Sequence, residues 1–195
     1  MIPIIGPVVA ELIKFSIPKQ RMDRIVDFLR KLENKVDENI VRNMKTPDGM
    51  DLFVIASEQI IESKTEERRE YIANLLKNSL NKEEIDLDEK KKLFSILNQL
   101  NDSEIIYLKS YSFQRTIGST PPFIKRHLDI LRPITKALNR SEEESRRTAF
   151  RDSYINNLEK LGLVTMESRR IDNREPTGVT PLGKLLLDYI EVPDE

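Results

Sequence analysis

Across most of the chain the apolar side chains recur three and four residues apart, and β-prone runs begin only after Gly162. Such spacing follows the α-helical turn and not the alternation of a strand, so the fold should be predominantly helical. Ile25, Phe28, Leu29, Leu32, Val36 and Ile40 lie on one side of a single long helix over 19–42, bounded at its start by Pro18. Lys45-Thr-Pro-Asp-Gly49 reads as a turn, because Pro fixes φ and Gly permits a positive φ, and a second helix should begin near Asp51. Leu52, Ile55, Ala56 and Ile60 form its buried stripe. Ser63 paired with Glu66, or Thr65 alone, caps the next helix, whose core face is Tyr71, Ile72, Leu75, Leu76 and Leu80. A helix from Asp86 buries Leu93, Phe94, Ile96, Leu97 and Leu100, and Asn101 or Asp102 starts a further one carrying Ile105, Ile106, Leu108 and Tyr111. After a loop at Gly118–Pro122, residues 123–139 read as helix bent or split by Pro133.

The strongest pattern of the second half is a helix from Ser141 to Leu161, closed by Gly162 in the left-handed conformation. Leu163–Met166 and Val179–Thr180 then suit a short ribbon around a polar turn, and Pro181 opens a final helix through Leu185, Leu186, Leu187 and Ile190. The fold class expected is mainly α: a multi-helix N-terminal part over 1–100, followed by a winged-helix-like part over 101–195 with one short β-hairpin. Leu158, Leu161 and Leu163 should pack against Leu182, Leu185 and Leu186.

Two resemblances bear on function. Leu161-Gly-Leu-Val164 followed by Val179-Thr-Pro-Leu-Gly-Lys-Leu-Leu-Leu-Asp-Tyr-Ile190 resembles the winged helix-turn-helix family. The stretch from the Pro47 turn through LFVIASEQIIESKTEERREYIANLLKNSL to QLNDSEIIYLKSY resembles the abortive-infection alpha proteins of bacteria, carried by the helical run Tyr71-Ile-Ala-Asn-Leu-Leu76. The second resemblance implies a cytosolic bacterial role in phage resistance and brings no catalytic residues with it.

The residue inventory leaves little room for catalysis. There is no Cys and one His, which excludes disulfides, Cys/His zinc sites and Cys nucleophiles. A His-based triad would have to use His127, which has no acid–nucleophile pair near it in sequence. The carboxylates at Glu66–Glu67, Asp86, Asp88–Glu89 and Glu142–Glu144 stand at helix starts, where the helix dipole favours negative charge. Gly178 to Lys184 has the spacing of a phosphate-binding loop, but Leu185 stands where Ser or Thr would hold magnesium and Pro181 removes a backbone donor. No Gly-x-Gly pair exists to bind a dinucleotide. The expectation is a non-enzyme without cofactor or metal.

Charge is nearly balanced, with 32 Lys and Arg against 33 Asp and Glu. Its distribution is not: residues 1–104 carry −3, residues 105–184 carry +6 and the last eleven carry −4. Wound as a helix, 141–161 gathers Phe150, Tyr154, Leu158 and Leu161 on one face and Ser145, Thr148, Asp152, Asn156 and Glu159 on the other. Arg146 and Arg151 flank that second face, Arg147 points towards the apolar side, and Arg169, Arg170 and Arg174 sit in or near the ribbon turn. Arg146, Arg151, Arg169, Arg170 and Arg174 are therefore the candidate nucleic-acid contacts, although Asp152 and Glu159 oppose insertion into a groove lined by phosphates. The reading that results is a non-enzymatic interaction protein of the bacterial cytoplasm, acting in phage defence through a protein partner. Its alternative is a DNA-binding winged-helix transcriptional regulator. Nucleic-acid contact is expected to be weak or non-specific at most. The apolar residues 1–17 read as a core helix, with an interfacial membrane anchor as the alternative and too little length for a comfortable span. Amphipathic helices such as 19–42 leave a homo-oligomer open.

Overall fold

The computed structural model describes residues 19–33, 35, 37–113, 120–132, 141–166 and 176–192, with the side chains of Lys19 and Gln20 outside that description. The expectations for residues 1–17, for Val36 and for Pro133 lie outside the described residues. Among the described residues the chain is mainly helical, with one two-stranded antiparallel hairpin near its C-terminal end, as the periodicity predicts. It divides into two compact units: Met1–Asn98 with Tyr189–Glu191, and Gln99–Asp188 with Val192–Glu195.

The first unit contains α1 (Lys19–Glu33), α2 (Glu38–Met44), α3 (Pro47–Glu62), α4 (Glu66–Asn81) and nearly all of α5 (Leu87–Gln99). The single helix expected over 19–42 is instead two. Asp37 breaks it, because its carboxylate accepts the backbone N–H groups of Asn39 and Ile40, both at 2.9 Å, and so caps a new helix. The following helix also starts earlier than the turn reading placed it. Pro47 occupies its first turn and the Thr46 hydroxyl accepts the Gly49 N–H at 3.1 Å, so Gly49 lies within the helix. There it permits a close approach: a Cβ at Gly49 would overlap the Asn43 carbonyl and the Met44 Cα. At the start of α4 it is Thr65 that caps, accepting the Arg68 N–H at 3.1 Å, while the Ser63 hydroxyl donates back to Ile60 at the end of α3. Asp86 and Glu89 cap α5 reciprocally, each accepting the other's backbone N–H at 2.9 Å.

Ile25, Phe28 and Leu32 of α1 pack against α3 and α4 in a core that includes Phe53, Ile60, Ile72, Leu75, Leu76, Phe94 and Leu97. The Phe28 and Phe53 rings are 6.3 Å apart. A helix leaves its last carbonyls without intrahelical donors, and this unit supplies them from other helices. Arg24 donates to Ile61 at the end of α3 (2.6 Å), Asn43 to Leu80 at the end of α4 (2.8 Å) and Arg68 to Leu97 at the end of α5.

The second unit holds α6 (Asp102–Ser110), α7 (Pro122–Arg126), α8 (Leu128–Leu131), α9 (Glu142–Lys160), β1 (Val164–Met166), β2 (Pro176–Val179) and α10 (Pro181–Ile190) as far as Asp188. Asn101 starts α6 in a capping box with Glu104. The described part of 123–139 is the two short helices α7 and α8, separated at His127. Gly162 takes φ +72° after α9, the left-handed conformation its position requires. The strands pair Val164 with Val179 and Thr165 with Gly178, and the register shifts between Thr165 and Met166. Leu158, Leu163 and Leu186 are buried, whereas Leu161, Leu182 and Leu185 are half-buried.

Candidate functional site

The long helix α9 is where the sequence concentrates its functional signals. Ser141 and Glu144 close a capping box, and Glu142, Glu143 and Glu144 occupy the first turn, where the dipole stabilises them. Of the helix's side chains only Ile155 and Leu158 are buried. Phe150, assigned to the apolar face with Tyr154, Leu158 and Leu161, is instead 57% exposed. The reason is rotational: burial centres on Ile155 and Leu158, and at about 100° per residue Phe150 lies roughly 80–140° around the helix from them. Tyr154 stands between, forming a ladder from interior to surface. Its ring is 5.9 Å from Tyr107 and 6.3 Å from Phe150. The Tyr107 hydroxyl donates to the Ile130 carbonyl at 2.8 Å. Burial pushes the Tyr107 phenol up from its ordinary pKa, against the opposing charges of Arg151 and Arg147.

The candidate arginines do not form one face. Arg146 is exposed, while Arg151 is half-buried and has its guanidinium 3.6 Å from the Asp152 carboxylate. Five positions apart, the two point about 140° away from each other. Arg147 is half-buried and donates to the Asp129 carbonyl at 3.3 Å. Arg169, Arg170 and Arg174 lie outside the described residues. On the face that the sequence set opposite the apolar one, Asp152 and Asn156 are exposed, Glu159 is half-buried and the Thr148 hydroxyl donates to the Glu144 carbonyl. That face mixes acid with amide, and the side turned furthest from Ile155 and Leu158 carries Glu142 and Asn156 beside Arg146 and Lys160, so neither reads as a purely basic groove-facing strip.

A second constellation gave no signal as chemistry. Asn74 and Asn78, in the Tyr71–Leu80 run of α4, are 3% and 4% exposed. Asn74 Nδ2 donates to the Ile190 carbonyl at 3.1 Å. Asn78 Nδ2 donates to the Tyr189 carbonyl at 2.9 Å and to the Glu191 carboxylate at 3.0 Å, which also accepts Lys77. These donors complete the C-terminal turn of α10 as Arg24, Asn43 and Arg68 complete the others. Burial raises the Glu191 carboxyl, but hydrogen bonds from Lys77 and Asn78 and the charges of Lys77 and Lys35 outweigh it and hold its pKa below the ordinary value. Glu191 itself sits at φ +50°. Two amides four residues apart inside an apolar helix face were the available sign of this clasp, since buried amides need partners.

The other two positions that the sequence singled out for chemistry make the following contacts. The His127 ring lies 4.6 Å from Phe123. Within Gly178–Lys184 the Thr180 hydroxyl accepts the Gly183 N–H at 3.0 Å and donates to the Gly162 carbonyl at 2.7 Å, and a Cβ at Gly183 would overlap the Leu163 carbonyl. That is a tight hairpin-to-helix junction. Among the described residues no group of three or more His, Cys, Asp or Glu side chains could hold a metal ion, and no helix is long and apolar enough to cross a membrane.

No curated protein and no solved structure matches the chain. A sequence model of the family described as abortive infection alpha does, over residues 21–184. That span takes in α4 with its buried asparagines, all of α9 and the hairpin, so the chain belongs to the abortive infection alpha family.

Proposed function

We propose that the chain acts in abortive infection, as part of a bacterial cell's response to phage, by contact with a protein partner in the cytoplasm and without catalysis of its own. Membership of the family supports the setting. The observation that carries the mode of action is Phe150: a large aromatic side chain, 57% exposed, in the middle of a 19-residue helix beside exposed Ala149 and Ser153. Aromatic side chains are favoured as anchors at protein interfaces, where they bury much area at little cost in conformational freedom.

A DNA-binding winged-helix regulator is the competing reading, favoured by the order α9, hairpin, α10 and by exposed Arg146. Against it stands exposed Asp152, where a groove-reading helix would present donors to bases and phosphates. Titration against a randomised duplex pool near physiological salt separates the two. Under the protein-contact reading, affinity is weak, collapses with added salt, shows no preferred sequence, and strengthens when Asp152 and Glu159 are changed to Lys. Recovery of a defined site bound with nanomolar affinity would instead establish the regulator.

A further inference from the structure

We infer that the exposed face of α9 pairs antiparallel with the same face of a second copy of this chain, which specifies the partner in the protein-contact reading above and rests on it. Glu142, Arg146, Ala149, Ser153, Asn156 and Lys160 are all exposed. Their spacings alternate four and three, which places them along one seam of the helix, as in a coiled coil. Along this seam the positions are symmetric about residue 151. Laying a second copy antiparallel about that point brings Glu142 opposite the partner's Lys160, Arg146 opposite the partner's Asn156 and Ala149 opposite the partner's Ser153. Each contact occurs twice by the two-fold operation. The acid-to-base pairs therefore lie at the two ends and the small side chains at the crossing, where they let the helices approach closely.

Phe150 flanks the seam. In a two-fold antiparallel pair, the flank that follows Ala149 meets its own symmetry mate, so Phe150 lies beside the partner's Phe150 within about 3 Å along the axis at 1.5 Å rise per residue. Two half-exposed rings would cover each other, and the charge pattern admits this orientation over a parallel one, which would set Glu142 against Glu142 and Lys160 against Lys160. The opposite flank carries a cost, because Asp152 meets the partner's Asp152 there. One helix pair buries less than a standard interface, so association should fall in the micromolar range. The opposed aspartates make a specific demand: neutralising them must tighten the dimer.

Sedimentation equilibrium of the full chain from low micromolar to several hundred micromolar concentration tests this. The expected result is a mass rising from one chain to two. Phe150→Glu should weaken association by at least about 30-fold, as loss of a central anchor does, with an unchanged melting temperature because the residue is exposed. E142K should weaken it about tenfold and the E142K/K160E exchange should restore it, while Asp152→Asn should strengthen it several-fold. A monomer throughout, or a dimer indifferent to Phe150→Glu and to the charge exchange, overturns the inference. If the chain is monomeric and Phe150→Glu nonetheless abolishes phage protection, the second copy is wrong as occupant and the protein-contact reading survives. If it dimerises as described and Phe150→Glu leaves protection intact, the pairing stands and the reading that this face serves defence falls.

Discussion

Replacing Asn78 by Ala tests whether the buried amides of α4 hold the end of α10. Asn78 is 4% exposed and its Nδ2 serves two acceptors, the Tyr189 carbonyl at 2.9 Å and the Glu191 carboxylate at 3.0 Å. The carboxylate keeps Lys77 after the change, so that bond costs about 0.5 kcal/mol, but the Tyr189 carbonyl loses its side-chain donor, which costs about 1–3 kcal/mol when an acceptor is left buried and unpaired. The sum is about 1.5–3.5 kcal/mol. Asn74 gives a contrast within the same helix. It makes one such bond, at 3.1 Å to Ile190, and its Oδ1 has no hydrogen-bond partner among the described residues, so Asn74→Ala removes an unpaired acceptor along with the donor. Its cost should be about 0.5–1.5 kcal/mol. Urea unfolding of both variants and the parent, followed by far-UV circular dichroism, gives the ordering. An Asn74→Ala loss equal to or larger than that of Asn78→Ala, or an Asn78→Ala loss below about 0.5 kcal/mol, would show that the carbonyls of α10 do not depend on these amides.

Gly49→Ala should destabilise by about 1–3 kcal/mol in thermal melts, the reverse of the gain that Gly→Ala gives in an open helix, because the new methyl meets the Asn43 carbonyl. Leu158→Ala, at a side chain with 0% exposure, should cost about 2–5 kcal/mol in the same assay; an unchanged melt would contradict its burial. Since the Glu191 pKa is lowered by folding, its contribution is complete above the ordinary value of 4.5 and disappears as the pH falls through the lowered one, so the stability difference between parent and Glu191→Gln should vanish on acidification through that window.

Helical period and capping chemistry made most of the elements legible. The capping boxes at Asn101 and Ser141, the left-handed Gly162 and Pro181 at the opening of α10 all act locally, on the turn of chain beside them. The departures arise where periodicity and capping compete. Ile25 to Ile40 keeps one apolar stripe across a break, because Asp37 can end one helix and begin another without disturbing the spacing. Gly49 has a turn-like neighbourhood, yet its role is steric and set by Asn43 in the preceding helix. Phe150 is the sharpest case. A wheel drawn on Phe150, Tyr154, Leu158 and Leu161 finds an apolar face, but which part of that arc is buried depends on Tyr107, which lies far from α9 in sequence. The asparagine clasp was hidden for the same reason, its acceptors lying more than a hundred residues away.

We propose that a face of α9 built around Phe150 carries the defence function by touching protein. The test is to challenge bacteria with phage when they carry the parent chain, Phe150→Glu or Asp152→Asn, each at matched abundance and with melting temperatures measured on the purified proteins. Protection should be lost with Phe150→Glu, whose fold is intact because the residue is exposed, and kept with Asp152→Asn. Full protection by Phe150→Glu at parental abundance would show that this face does not serve defence.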